Sequence, residues 1–377
     1  MWWKFYLLEF VIYVPAAFFS FIGNYFNQIH FSNFQNGILG SIPAVILLIS
    51  NPFWMRFSDR RIKNTTLLFL SLSSALMLWG VFSFRTFSLV FLAMLFLSFM
   101  SSSIVPVAES ISLVYSKKKI FSFGKARMMG SIAYALAMMW FGYIKSDFLF
   151  FLIGSTSFVI ISVISLLIPK TKGFNITGKA HHSYRNIPAA FYRMLMLELM
   201  VIPSGAFGSY FFPILVKERG EPLFFAGIAM GIPALSEIPF LLFADKIVER
   251  LGIKRMLILA SFLFGIRWLL TSIFTNPVIV ISIQGLEFFN WIAIYYAILY
   301  YTNYHVNSKY RADAQALFWM TTSGFSMILG LALGGWLANT LGVVNAYACF
   351  GALSIVGGAL YWLMEHLISV KKSGIYI

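Results

Sequence analysis

Apolar residues fill twelve stretches, near 5–27, 34–56, 65–84, 87–115, 122–144, 147–168, 191–216, 222–244, 254–274, 277–305, 311–339 and 343–368, called spans 1 to 12. Crossing a bilayer core takes about 20 predominantly apolar residues. The pattern therefore predicts an all-α membrane protein of twelve transmembrane helices. Between the spans lie short polar turns, and every second one is basic: Arg56–Lys63, Lys117–Lys119 with Lys125, Lys246–Arg255, and Lys309–Arg311. Of the 28 Lys and Arg, only Arg85, Lys145, Lys217 and Arg219 fall on the opposite side, and Arg127 and Arg267 fall inside spans. Basic loops stay on the cytoplasmic face. The asymmetry predicts a multi-pass protein of the inner (cytoplasmic) membrane with both termini cytoplasmic.

Composition agrees. The chain is 60% hydrophobic and 11% charged, against about 25% charged in soluble domains. Its formal charge of +15 would suggest nucleic acid in a soluble chain, but loop topology accounts for it, so no nucleic-acid partner is expected. Cys349 is the only cysteine, which rules out an intrachain disulfide.

The central stretch 169–190 is the one long connection and splits the spans six and six. It predicts an N-terminal six-helix bundle over 1–168, a cytoplasmic linker over 169–190, and a C-terminal bundle over 191–377. Adjacent His181 and His182 in the linker lack a third ligand and read as loop residues rather than a metal site. The halves echo each other. Gly37–Ala44 (GILGSIPA) in span 2 matches Gly227–Ala234 (GIAMGIPA) in span 8, each followed by Pro-Phe and an acid-base pair, Asp59-Arg60 and Asp245-Lys246. Lys4 and Glu9 in span 1 are spaced as Arg193 and Glu198 in span 7. Duplicated halves mark transporters that bind near the midplane and rock one half against the other. Small-residue pairs such as Gly227 with Gly231 and Gly330 with Gly334 read as close helix packing, and prolines within spans, among them Pro15, Pro106 and Pro203, as local breaks in the helical ladder.

Charges within spans are costly and tend to pair or mark a pathway. Glu109 precedes Lys117 by eight residues and Arg127 follows Lys119 by eight, so each lies about 12 Å in from the same end of an antiparallel hairpin. Arg267 and Glu287 are similarly level across the turn at Asn276. Glu237 has no obvious mate, and Glu9 and Glu198, one to two turns from their inner ends, are expected to be solvated. The two pairs could staple helices or line a polar cavity; their similar depth in opposite halves favours the cavity. Tyr134 lies two turns beyond Arg127 on the same face. Carboxylate, guanidinium and ring together suit a polyhydroxylated ligand such as a sugar, although a lone tyrosine also suits helix packing.

The stretch Phe121–Gly130 (FSFGKARMMG), with Glu109 eighteen residues ahead of Arg127 and Tyr134 seven behind, resembles the lactose-permease branch of the major facilitator superfamily. The turn Pro52–Arg60 (PFWMRFSDR) is similar to the superfamily's loop signature, with Met55 where a glycine is expected. Arg250–Lys254 (RLGIK), Arg267 and the segment Gly335–Tyr347 extend the resemblance over nearly the whole chain. It implies the major facilitator fold, two pseudo-symmetric six-helix bundles around a central cavity. It also implies a sugar site at Glu109, Arg127 and Tyr134, and an inner-gate latch at Asp59, Arg60 and Asp245. The sequence departs from the pattern where Ala234 replaces a glutamate, with Glu237 one turn on, where Glu287 replaces a histidine, and where Asn290 replaces the proton-carrying glutamate. Glu237 is then a substitute ligand for substrate, and coupling would run through Glu287 with Arg267, or through Glu237.

The function expected is secondary transport of a sugar or small glycoside by alternating access, with proton symport. The alternatives are a proton-coupled permease for nucleosides or aromatic acids, a sugar facilitator or exporter without proton coupling, and, from another class, a channel or sensor. There is no phosphate-binding glycine loop and no His pair spaced for zinc, so neither catalysis nor a cofactor is expected. The partners expected are a sugar-like small molecule, protons and lipid, acting on a monomer.

Overall fold

The computed structural model describes residues 2–173 and 184–373, so His181 and His182 lie outside the described residues. Eleven helices in it are long and apolar enough to cross a membrane: Trp3–Gln28, Asn33–Asp59, Lys63–Ser83, Phe87–Ser116, Asp147–Leu167, Ala189–Glu218, Leu223–Leu251, Ile253–Ile273, Pro277–His305, Asp313–Leu341 and Val343–Ser369. A further 21-residue helix, Phe123–Tyr143, fills the place of span 5 and carries Lys125 and Arg127. Leu76, Trp140, Leu242 and Trp362 are among many large apolar side chains left more than half exposed. A soluble surface does not carry so many; a lipid-facing one does.

Several spans are broken, two of them beside prolines. A proline has no N–H to give the carbonyl four residues back. Pro15 follows the interruption of span 1 between Trp3–Val11 and Val14–Gln28. Pro106 sits just inside Ile104–Lys117, where span 4 resumes after Phe87–Ser101. Span 10 is interrupted without a proline: Pro277–Gln284 passes into a 3-10 turn, Gly285–Phe289, before Trp291–His305. Span 11 widens to a π-helix at Met320–Phe325 and again at Leu329–Leu333. Broken transmembrane helices are tolerated where neighbours satisfy the freed backbone groups.

The chain separates into two compact units, Met1–Lys179 with Phe212–Leu235, and Ala180–Phe211 with Ser236–Ile377. In the first, span 3 packs most extensively on span 6, fastened by Trp79 Nε1 donating to Ser155 Oγ at 3.1 Å and by Asn64 Nδ2 donating to the Ser165 carbonyl at 3.0 Å. Beyond span 6 the chain folds back on the turn after span 2, where the Gly173 amide donates to the Arg61 carbonyl and the Lys63 amide to the Thr171 carbonyl, both at 2.9 Å. Span 8 meets span 5 so closely that a Cβ on Gly227 would lie 2.7 Å from the Met138 carbonyl oxygen. In the second unit, span 9 packs most extensively on span 12, six spans on from the dominant contact of the first. The duplication read from the sequence is thus repeated in the packing.

Candidate functional site

In the first unit, spans 1, 4 and 5 bring Glu109, Arg127 and one residue not foreseen, Tyr13, into a single cluster. Arg127 Nε lies 3.2 Å from Glu109 Oε1. Tyr13 Oη donates to the same oxygen at 2.8 Å, and the guanidinium stands over the Tyr13 ring, 4.1 Å from its centroid. Each element has a local reason to be there. Tyr13 occupies the interruption of span 1 ahead of Pro15, and Glu109 follows Pro106 by one turn. Gly130, one turn beyond Arg127, leaves its face bare for the Tyr13 ring, which a Cβ would strike. Tyr134 continues that face, and its hydroxyl exchanges a 3.1 Å hydrogen bond with Ser20 Oγ of span 1. The cluster is open: the Arg127 and Glu109 side chains are 40% and 28% exposed. A charge-assisted pair backed by aromatic rings and left partly uncovered can accept hydroxyls and cover a C–H face at the same time.

The acid-base pair of the second unit is built differently. Arg267 forms an ion pair with Glu287 and donates from Nε to Gln284 Oε1 at 2.9 Å. Gln284 Nε2 in turn donates to Thr271 at 3.1 Å, and Asn290 Nδ2 reaches Glu287 at 3.4 Å. The guanidinium also lies 4.2 Å from the centroid of the Trp268 ring. These groups are buried, Arg267 to 4% and Glu287 to 10% side-chain exposure. The 3-10 turn Gly285–Phe289 positions Glu287, and Asn290, at φ −106° and ψ −103°, closes it. Glu237 is not without a mate, as its sequence position suggested: it lies within electrostatic reach of Arg267.

Asp59 pairs with Lys63 across its own turn at 2.8 Å, and Lys63 Nζ also donates to Ser110 Oγ of span 4 at 3.2 Å. Arg60 is exposed. Asp245, also exposed, accepts from the Tyr296 hydroxyl of span 10. Glu9 and Glu198 correct the sequence expectation: both are fully buried rather than solvated. The expectation counted turns from the helix ends and left out the neighbouring spans that cover those positions. Among the described residues no group of three His, Cys, Asp or Glu side chains lies together as a metal site.

The model of the MFS_1 like family matches residues 2–349. The chain belongs to that family. It is a multi-pass membrane transporter of the major facilitator kind, resembling oligosaccharide permeases, and not an enzyme. An uncharacterized transporter of Bacillus subtilis (strain 168) is 26% identical over 351 residues, covering 89% of this chain and 86% of the relative. The maltose permease of Geobacillus stearothermophilus is 27% identical over 339 residues, 85% of this chain and 83% of the relative. The lactose permease of Citrobacter freundii is 23% identical over 375 residues, 91% and 88% of the two. Among solved structures, the nucleoside transporter NupG matches 96% of this chain and 98% of its own with a TM-score of 0.80 at 17% identity. That likeness extends to the fold, with its two pseudo-symmetric six-helix halves.

Proposed function

We propose that this transporter carries a sugar or small glycoside by alternating access, in symport with protons, across the cytoplasmic membrane. The observation that carries the reading is the open cluster of Glu109, Arg127, Tyr13 and Tyr134. An anionic acceptor, a bidentate donor and the Tyr134 ring are the groups a sugar ring needs, since its edges are hydroxyls and its faces are C–H. The likeness to maltose and lactose permeases makes disaccharides the first ligands to try. Glu237 is a second ligand for substrate in this reading, and the turns at Asp59, Arg60 and Asp245 serve gating. A six-plus-six division about the linker, cytoplasmic tails and a monomeric carrier complete it. Coupling through Glu287 would need Arg267 to leave it during the cycle, because the guanidinium already balances that carboxylate in this conformation.

The test is a thermal-shift screen of purified protein against maltose, lactose, uridine and benzoate, because a ligand of the folded state stabilises it by mass action. A sugar should raise the melting temperature of the parent and of Tyr134→Phe, but not of Tyr134→Ala. A response to uridine or benzoate alone would replace the sugar reading, and an unchanged response in Tyr134→Ala would remove the ring from the site.

A further inference from the structure

Glu9 is fully buried in span 1, and neither of its carboxyl oxygens has a hydrogen-bond donor. Ser112 of span 4 is the hydroxyl beside it, placed outside good hydrogen-bond geometry. Among the described residues no cation lies within ion-pair distance. The ionisable groups that face Glu9 are Tyr13, one turn along its own span, Glu109 of span 4 and Arg127 of span 5. Lys4 of the same span is turned away, donating to the Leu167 carbonyl at 2.9 Å, and Tyr115 of span 4 packs its ring on Phe5. Span 6, which also packs against this part of span 1, carries no ionisable side chain except Asp147 at its opposite end.

An ionised carboxylate so placed would be costly, because burial removes its water and nothing replaces it; the usual remedy is neutralisation. Arg127 cannot serve as a counter-ion for both acids, since its Nε is already directed to Glu109 and its plane covers the Tyr13 ring. We propose that Glu9 is the proton-binding group of the N-terminal half, and that its proton and a sugar on Glu109 and Arg127 bind with mutual dependence. The proposal rests on the proton-symport reading above and assigns the proton to a residue outside the Arg267–Glu287 pair. With the proton in place, the cluster holds one carboxylate and one guanidinium, and Arg127 is free to divide its donors between Glu109 and substrate hydroxyls. Transfer of that proton to water leaves a second carboxylate within electrostatic reach of Arg127 and a like charge near Glu109. Arg127 is then drawn toward Glu9, and the pair presented to the sugar is lost. Because coupling between two ligands is reciprocal, whatever proton loss costs sugar binding, sugar loss costs proton binding. Glu198 occupies the matching place of the second half, equally buried, with Thr322 of the π-helical segment donating to Oε1 at 2.7 Å and its other oxygen unpartnered. Among the described residues, a buried acid without a cation in ion-pair contact thus stands at the repeated sequence position of both halves.

The test has two arms. Infrared difference spectroscopy of the purified full chain, parent minus Glu9→Gln at neutral pH, should show a protonated-carboxyl band belonging to Glu9. A spectrum without that band overturns the proposal. In proteoliposomes loaded with maltose or lactose, the ratio of proton-gradient-driven accumulation to equilibrium exchange should fall about tenfold in Glu9→Gln and recover in Glu9→Asp, which keeps an acid there. A parent that accumulates sugar on a proton gradient and a Glu9→Gln variant that does so equally would overturn the proposal while leaving symport standing. A parent indifferent to the proton gradient, or driven by a sodium gradient instead, would overturn the symport reading and the assignment with it.

Discussion

The two halves each hold a glutamate and an arginine from neighbouring spans, yet the pairs are opposites in surroundings. Arg127 and Glu109 are 40% and 28% exposed, with an aromatic face and one tyrosine hydroxyl as their company. Arg267 and Glu287 are 4% and 10% exposed and held by Gln284 and Asn290 above a tryptophan ring. A buried pair repays its desolvation only when further hydrogen bonds complete it, which is the company Arg267 keeps. An open pair pays little desolvation and gains little stability, and its unfilled donors and acceptors remain available to a ligand. The same two residue types therefore serve different ends, and exposure decides which.

The sharpest way to break that comparison is to remove one arginine at a time. Arg267→Ala leaves Glu287 buried without a cation, for which the expected cost is about 3–5 kcal/mol, read as a large fall in thermal midpoint or loss of folded protein. Replacing both partners, Arg267→Met with Glu287→Met, should recover most of that loss, because apolar substitution of a whole buried pair is often close to neutral. If the double variant were as unstable as the single one, the pair would contribute stability beyond satisfying its own charges.

Arg127→Ala should behave in the reverse sense. Its stability cost is expected within about 1 kcal/mol, while sugar binding should be lost, because hydrogen bonds to charged groups contribute about 1.5–3 kcal/mol each. Tyr13→Phe sharpens the contrast. It keeps the ring beneath the guanidinium and deletes only the 2.8 Å bond to Glu109, so affinity should fall by about 1 kcal/mol, roughly fivefold. Calorimetric titration of both variants with maltose checks the order. A Tyr13→Phe variant as defective as Arg127→Ala would mean that the hydroxyl, rather than the charge, organises the cluster.

Much of this was legible in the chain, and the omissions have a common cause. Depth along a helix is countable at about 1.5 Å per residue, so the level placement of Glu109 with Arg127, and of Arg267 with Glu287, could be read from loop positions alone. The direction in which a residue faces after a helix is broken is not countable. Tyr13 lies in the interruption before Pro15, and the helical period that would place it stops there. Pro15 is the signal the sequence offers that the helical period breaks there. Span 10 gave no such warning, since no proline marks its 3-10 turn. Burial of Glu9 depends on spans 5 and 6, which pack on span 1 from more than a hundred residues away, and no spacing within span 1 reports it.

The smallest effects are expected at the two repeated turns, where the comparison recurs in miniature. Asp59 faces Lys63, which is 4% exposed and also donates to Ser110. Asp59→Asn removes the charge from that 2.8 Å contact and should lower stability by about 1 kcal/mol, because a charge-assisted hydrogen bond is weakened in a mostly covered place. Asp245 is exposed, and the hydroxyl of Tyr296 is the group it accepts from. An asparagine carbonyl can accept from the same hydroxyl, so Asp245→Asn should stay within about 0.5 kcal/mol of the parent, as surface substitutions usually do. Thermal unfolding of the two variants gives the stability order, and transport by each gives its bearing on gating. If Asp245→Asn slowed exchange of a bound sugar while Asp59→Asn did not, the Asp245–Tyr296 contact would be the one that conformational exchange must break, and the Asp59–Lys63 pair would be structural only.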